Sequence, residues 1–257
     1  MNFEQRNEIK IIIFSKIKMD MPIDLQHQAM GYDRTATMFS PEGHLLQVEY
    51  AEKTVRLGSA SIGMRCSDGV FILADKRIRD KLIVKESAMR IFEIDSHIIA
   101  SVAGIVSDAR VLVERAQVLA QQHRVTYDSP VETESIIKDI SNVKQQFSQY
   151  GGARPFGVSI MMAGLNNKKP ELYVSDVTGN YNAYHANAIG EGDEKLKEKL
   201  REKYKDSLTI KQGIKIAIEI FREIRGKDFD IDKFELAYIQ IGDEKLQRAE
   251  GEKIKEI

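Results

Sequence analysis

With one cysteine, Cys66, among 257 residues, the chain can form neither an internal disulfide nor a thiolate metal cluster, which fits a reducing cytosol. Net charge is nearly absent too. Thirty-eight basic side chains against 39 acidic ones leave no global electrostatic footprint for nucleic acid or an anionic membrane. Long apolar runs are missing from the first 29 residues. Ile11 to Phe14 is four residues, far short of the roughly 20 that a bilayer span needs, and no small-residue cleavage site follows it. Proline (5) and glycine (17) are sparse, and 42% hydrophobic with 30% charged residues is the composition of an ordinary globular chain. A chain of this length can bury a full core as one domain.

Other absences exclude chemistry. No Gly-x-x-x-x-Gly-Lys loop is present, so a phosphate cradle of that kind is out. The five histidines, His27, His44, His97, His123 and His185, stand singly, without a partner at the tight helical spacing of a zinc enzyme. They read as surface or internally satisfied polar residues, and no metal or cofactor is implied. Cys66 sits in a turn beside Met64, Arg65, Ser67 and Asp68, which reads as an inert thiol.

What is present divides into three stretches: an extension over 1–30, a domain over 31–242, and a charged tail over 243–257. Met19, Met21 and Met30 could each initiate translation, so the extension reads either as an overextended start or as a flexible arm. In the domain, Leu45, Leu46, Val48, Ala51 and Val55 fall near one helical face after a Ser40-Pro41-Glu42-Gly43 turn. Residues 59–64 and 69–75 read as a hairpin, and 90–94 with 97–104 as a second one. Helices follow, the first capped by Ser107 and ending near His123, the second beginning after Pro130. Strands resume at 156–164, 171–176 and 181–186, helices at 193–204 and 210–224, and a last strand at 234–241. Strands in two batches, each followed by two helices, predict an α+β architecture: a four-layer αββα sandwich of two stacked antiparallel sheets flanked by helices.

One catalytic arrangement is open to such a chain. Cleavage between Gly58 and Ser59 would free a serine whose own amine could act as base, with Asp75 and Arg90 as polar supports. Uncut, Ser59 is an ordinary serine at the start of a strand. The doublet Gly151-Gly152 has no strand-then-helix context and reads as a tight loop.

The blocks YDRTATMFSPEGHLLQVEYAEKTVRLGSASIGM, ADKR, GIVSDARVLVERA and QQFSQYGGARPFGVS closely resemble the α subunits of the proteasome core particle in their archaeal form, from about Gly31 to about Ile241. The resemblance implies a non-catalytic subunit of the cytoplasm. It would form a homoheptamer, cap a ring of catalytic β subunits, and let only unfolded protein pass. It assigns a gate cluster to Tyr32, Asp33, Pro41 and Tyr50. A pocket for the carboxyl-terminal tails of an AAA ATPase regulatory particle falls to Gly58, Arg90 and Ile105, and an annulus loop to Tyr150, Gly151 and Gly152. Arg90 stands where many relatives carry lysine, and its planar fork makes different geometric demands on a carboxylate. The Ile-rich leader would add apolar bulk to the gate. Deleting residues 1–20 is then expected to raise peptide hydrolysis by the assembled particle, and an unchanged rate would count against that role.

Overall fold

Period-2 alternation is clearest in β2 (Gly69–Asp75), which the Ser67-Asp68-Gly69 turn joins to β1 (Ser61–Cys66). Val70, Ile72 and Ala74 point into one apolar cluster, and Phe71 and Leu73 into another, as successive side chains of a strand must. The computed structural model describes residues 30–32, 34–76, 80, 82–243 and 245–257. The leader 1–29 and Asp33 lie outside the described residues.

Among these residues β1 and β2 belong to a sheet ordered β10-β9-β2-β1-β8, with β8 at Ala186–Ile189, β9 at Phe234–Gln240 and β10 at Leu246–Glu250. The second sheet runs β3-β4-β5-β6-β7: Ile91–Asp95, Ile98–Gly104, Val158–Asn166, Lys169–Ser175 and Tyr181–Ala183. All pairings are antiparallel. Between the sheets pack Val70, Ile72, Ile99, Met161, Ala163, Leu172 and Ile239. Ser61 Oγ lies 2.7 Å from Ser101 Oγ across this seam, so each buried hydroxyl has its partner.

The outer faces carry the helices. On the first sheet, Ile62, Met64, Phe71 and Leu73 meet Leu196 and Leu200 of α4 (Asp193–Lys203) and Ile214, Ala217 and Phe221 of α5 (Ile210–Arg225). On the second, Ile98, Ala100, Val102, Ile160 and Met162 meet α2 (Val106–Tyr127) and α3 (Thr133–Gln149). One further helix, α1 (Leu46–Arg56), precedes β1. The four layers are those the sequence predicts, and the two apolar faces of each sheet explain why its strands are so uniformly hydrophobic.

Four boundaries differ from expectation. The expected strand 181–186 is split: after Ala183 the chain crosses over, and β8 pairs with β1 rather than with β6. Ser107 does not cap α2. Ile105 is the N-cap, held by its N–H to Gly157 O at 2.9 Å. The same helix runs four residues past His123 and stops at Asp128 in the left-handed region, φ 51°. Finally, 243–257 is no separate tail. Leu246–Glu250 pairs with β9, and Ile254 is buried beyond it. Its charges lie on an edge strand, where they discourage pairing with other chains.

Candidate functional site

α1 packs against β4, β5 and the turn after β6. Val48 and Ala51 of α1 pack on Val177 in the turn after β6. Thr54 Oγ1 donates to Gly157 O at 3.1 Å as well as to Ala51 O at 2.7 Å. Gly157 in turn accepts from Ile105 N, so α1, the start of β5 and the start of α2 meet at one carbonyl. At the other end of α1, Gly58 N donates to Val55 O at 2.9 Å.

Gly58 is pressed against the end of β4. A Cβ there would stand 2.3 Å from Gly104 N and 3.0 Å from Ala103 C, closer than any side chain allows. The fold thus brings Gly58 against the residue preceding Ile105. Arg90 is reached along the same ladder: Ile91 pairs with Ser101, which puts Arg90 opposite Val102, two residues from Gly104. Its backbone N–H and that of Ile91 both donate to Glu235 Oε1, the latter at 2.8 Å. Glu235, on β9, therefore ties the start of β3 to the other sheet. Burial pushes its carboxyl above the usual range, while the Arg90 N–H and the nearby Lys76 ammonium pull it down. Lys76 is itself buried and meets Glu250 at 2.7 Å. The Arg90 side chain is half-buried, and its Nε is enclosed without a hydrogen-bond partner.

Of the expected gate residues, Pro41 and Tyr50 flank the N-terminus of α1. Pro41 lies in a turn closed by Gly43 N to Ser40 O and Ser40 N to His44 O, both 2.9 Å. Tyr50 is half-buried, with the Lys53 ammonium 5.2 Å above its ring. Tyr32 is half-buried in a separate turn, where Arg34 N donates to Gly31 O at 3.1 Å. Asp33, the remaining member, lies outside the described residues.

Tyr150 is the C-cap of α3 and is 68% exposed. Among the described residues nothing beyond the chain neighbours comes within 4 Å of where a Cβ would stand on Gly151 or Gly152, so packing does not demand glycine at 151, while at 152 a φ of 87° favours it. Just beyond, Arg154 forks onto Asp108 of α2 at 2.6 and 2.7 Å, and Gly157 N donates to the same carboxylate at 3.0 Å. The Arg154 hydrogen bonds hold the Asp108 carboxyl below its usual range, against the opposing effect of burial. This clamp anchors the loop after Tyr150. Its partners lie in the GIVSDAR and GARPFG blocks, yet nothing in either block alone says that they meet.

Of the residues that a freed Ser59 would need, Asp75 is otherwise engaged: its Oδ2 accepts from Arg225 Nη2 at 3.0 Å. Ser59 is 8% exposed. Cys66 is buried, and desolvation pushes its thiol up to about 12, where it is no nucleophile. Among the described residues no three His, Cys, Asp or Glu side chains are placed to hold a metal.

Comparison with known proteins accounts for this architecture. Residues 32–53 match the N-terminal signature of A-type proteasome subunits, and residues 55–239 match the proteasome subunit family. The chain is 44% identical over 224 residues to the proteasome alpha subunit of Pyrococcus abyssi, covering 87% of this chain and 85% of that one. It is 41% identical over 226 residues to that of Methanosarcina thermophila (88% and 91%) and 39% identical over 226 residues to that of Archaeoglobus fulgidus (88% and 92%). The signature ends inside α1 and the family match begins there, so this helix joins the two matched regions. The chain belongs to the proteasome subunit family and is of its α type, the non-catalytic subunit of the core particle.

Proposed function

We propose that this chain forms a heptameric outer ring that controls the passage of unfolded protein to proteolytic sites on β subunits, and that it docks an AAA ATPase regulatory particle. The observation that carries the reading is the lay of α1. Thr54, Val48 and Ala51 fasten it to the Gly157 carbonyl and to Val177, so the helix that leads into Gly58 and Ser59 is a packed part of the fold rather than a loose leader. The segment before α1 is then left to act at the ring mouth through Tyr32, Asp33 and Pro41, with Tyr50 in the first turns of α1 itself. Glycine at 151, which packing within the chain does not demand, and glycine in the left-handed region at 152 suit a loop that crowds its symmetry copies around an axis.

The docking pocket is assigned to Gly58, Arg90 and Ile105. The partly exposed guanidinium of Arg90 suits a terminal carboxylate, which Arg binds through charge-assisted hydrogen bonds. Among the described residues no helix is long and apolar enough to cross a membrane, in keeping with work in the cytoplasm. Electron microscopy of the chain co-expressed with candidate β chains tests the assembly: seven-fold end rings are expected, and their absence overturns the proposal. Mass spectrometry of the same particle should find Gly58 and Ser59 still joined. A species beginning at Ser59 would instead mean a self-processing hydrolase.

A further inference from the structure

Behind Gly58 lies a charge network that neither the gate nor the pocket residues account for. Arg225, the last residue of α5, extends one arm of its guanidinium to Asp75 Oδ2 at 3.0 Å and the other to Glu191 Oε2 at 2.7 Å. Asp75 is the last residue of β2, and its N–H donates to Ala60 O at 2.9 Å. The N–H of Glu191 donates to Gly58 O at 3.0 Å. Gly190 lies so close to the Ser59 carbonyl that a Cβ on it would overlap the oxygen, at 2.1 Å. Residues 58–60 are therefore gripped from both sides by groups that a single guanidinium holds together.

The geometry does more than stabilise a strand. Gly58 is pressed onto Gly104 from one side and drawn back by Glu191 from the other, so its position is a balance between the two. Gly104 precedes Ile105, and Gly58 and Ile105 are both assigned to the docking pocket. Asp75 is buried and Glu191 half-exposed, and Arg225 supplies one cation to both carboxylates. Without the guanidinium, the 190–192 turn loses one side-chain tie, and the Glu191 N–H that meets Gly58 O is held less firmly.

We infer that Arg225 is a positioning residue for the ATPase-tail pocket, setting the place of Gly58 through Glu191 and Asp75 without touching the tail itself. The inference rests on the pocket reading above. Its partners are separated by 34 and 150 residues along the chain, and only stacked sheets with α5 laid across them bring the three together.

The test uses the particle assembled with β subunits and a fluorescent peptide ending hydrophobic-Tyr-any residue with a free carboxylate, beside the same peptide amidated. Arg225→Gln is expected to weaken the acid peptide about tenfold, the scale of coupling between neighbouring groups. Arg225→Lys, which keeps the charge but reaches one carboxylate only, should recover part of the loss. Where Arg225→Gln disturbs assembly, Glu191→Gln decides. Glu191 is 40% exposed at its side chain, so this variant should keep the particle's melting temperature while weakening the acid peptide several-fold. Wild-type affinity in both glutamine variants, with Arg90→Ala defective, overturns the role of Arg225. Wild-type affinity in Arg90→Ala as well would overturn the pocket reading and this inference with it.

Discussion

Arg90→Ala is expected to reduce ATPase-stimulated degradation to the unstimulated rate. The Arg90 side chain is partly buried, so its bond to an arriving carboxylate is less screened than one at an open surface. Truncating one partner of such a buried, charged pair typically costs about 2–5 kcal/mol, which is at least about thirtyfold in each site's affinity. A ring engages several tails at once, so the loss multiplies through effective concentration. Arg90→Lys keeps the charge but not the fork and should retain stimulation within several-fold. Assembly should survive both changes, because the N–H groups that meet Glu235 belong to the backbone. The measurement is casein degradation with and without the ATPase, alongside binding of acid and amidated tail peptides. Full stimulation in Arg90→Ala sinks the pocket assignment.

The reach of that prediction depends on how much of the site can be read along one dimension. The sandwich is legible because each strand repeats at period two and each helix near 3.6, and those periods survive in β2 and in α5 with little interference. Strand β8 is not legible. Ala186 to Ile189 continues a run that already looks like one strand, and only the pairing with β1 shows that the chain has changed sheets. In β10 the signal is masked by charge: Gln247, Arg248 and Glu250 surround a buried Ala249, and an edge strand is where such residues are tolerated.

Within the candidate site the division is similar. Gly58, Arg90, Ile105 and the Tyr150 loop are named by sequence resemblance, and the fold does bring Gly58 against the residue before Ile105. Their supports are not. Arg154 meets Asp108 across 46 residues, Arg225 meets Asp75 across 150, and Glu235 meets Arg90 across 145. Each is an ordinary charge on a surface pattern until two sheets are stacked. In the sequence Asp75 stands out only as a support for Ser59. Its actual partner, Arg225, ends a helix, where a basic residue has a sufficient local explanation in the helix dipole.

The largest stability effect is expected at Lys144, which stands four residues after Ile140 and seven after Ile137, on the apolar face of its helix. It lies on α3 with no exposed surface, its Nζ 3.2 Å from both the carbonyl and the hydroxyl of Ser175. Ser141 Oγ donates to the same Ser175 hydroxyl at 2.9 Å, and Ser159 Oγ to the Ser175 carbonyl at 3.0 Å. Burial pushes the amine down to about 7, with Asp176 opposing. Across the same turn, burial and then Asp176 push the Glu52 carboxyl of α1 upward. An unfolded lysine titrates near 10.4, so between about pH 7 and 10.4 the unfolded chain binds more protons than the folded one, and stability rises with pH across that window. Below pH 7 both states are protonated and the penalty is constant, at most on the order of 5 kcal/mol. Lys144→Met fills the same volume and leaves the Ser175 hydroxyl with Ser141 and its carbonyl with Ser159. The variant should therefore be the more stable protein at pH 6.5–7.5, and its advantage should shrink steadily toward pH 10. Thermal melts of both proteins through that range provide the check. Parallel curves would mean that Lys144 keeps its proton in the fold, with Asp176 rather than burial governing its charge.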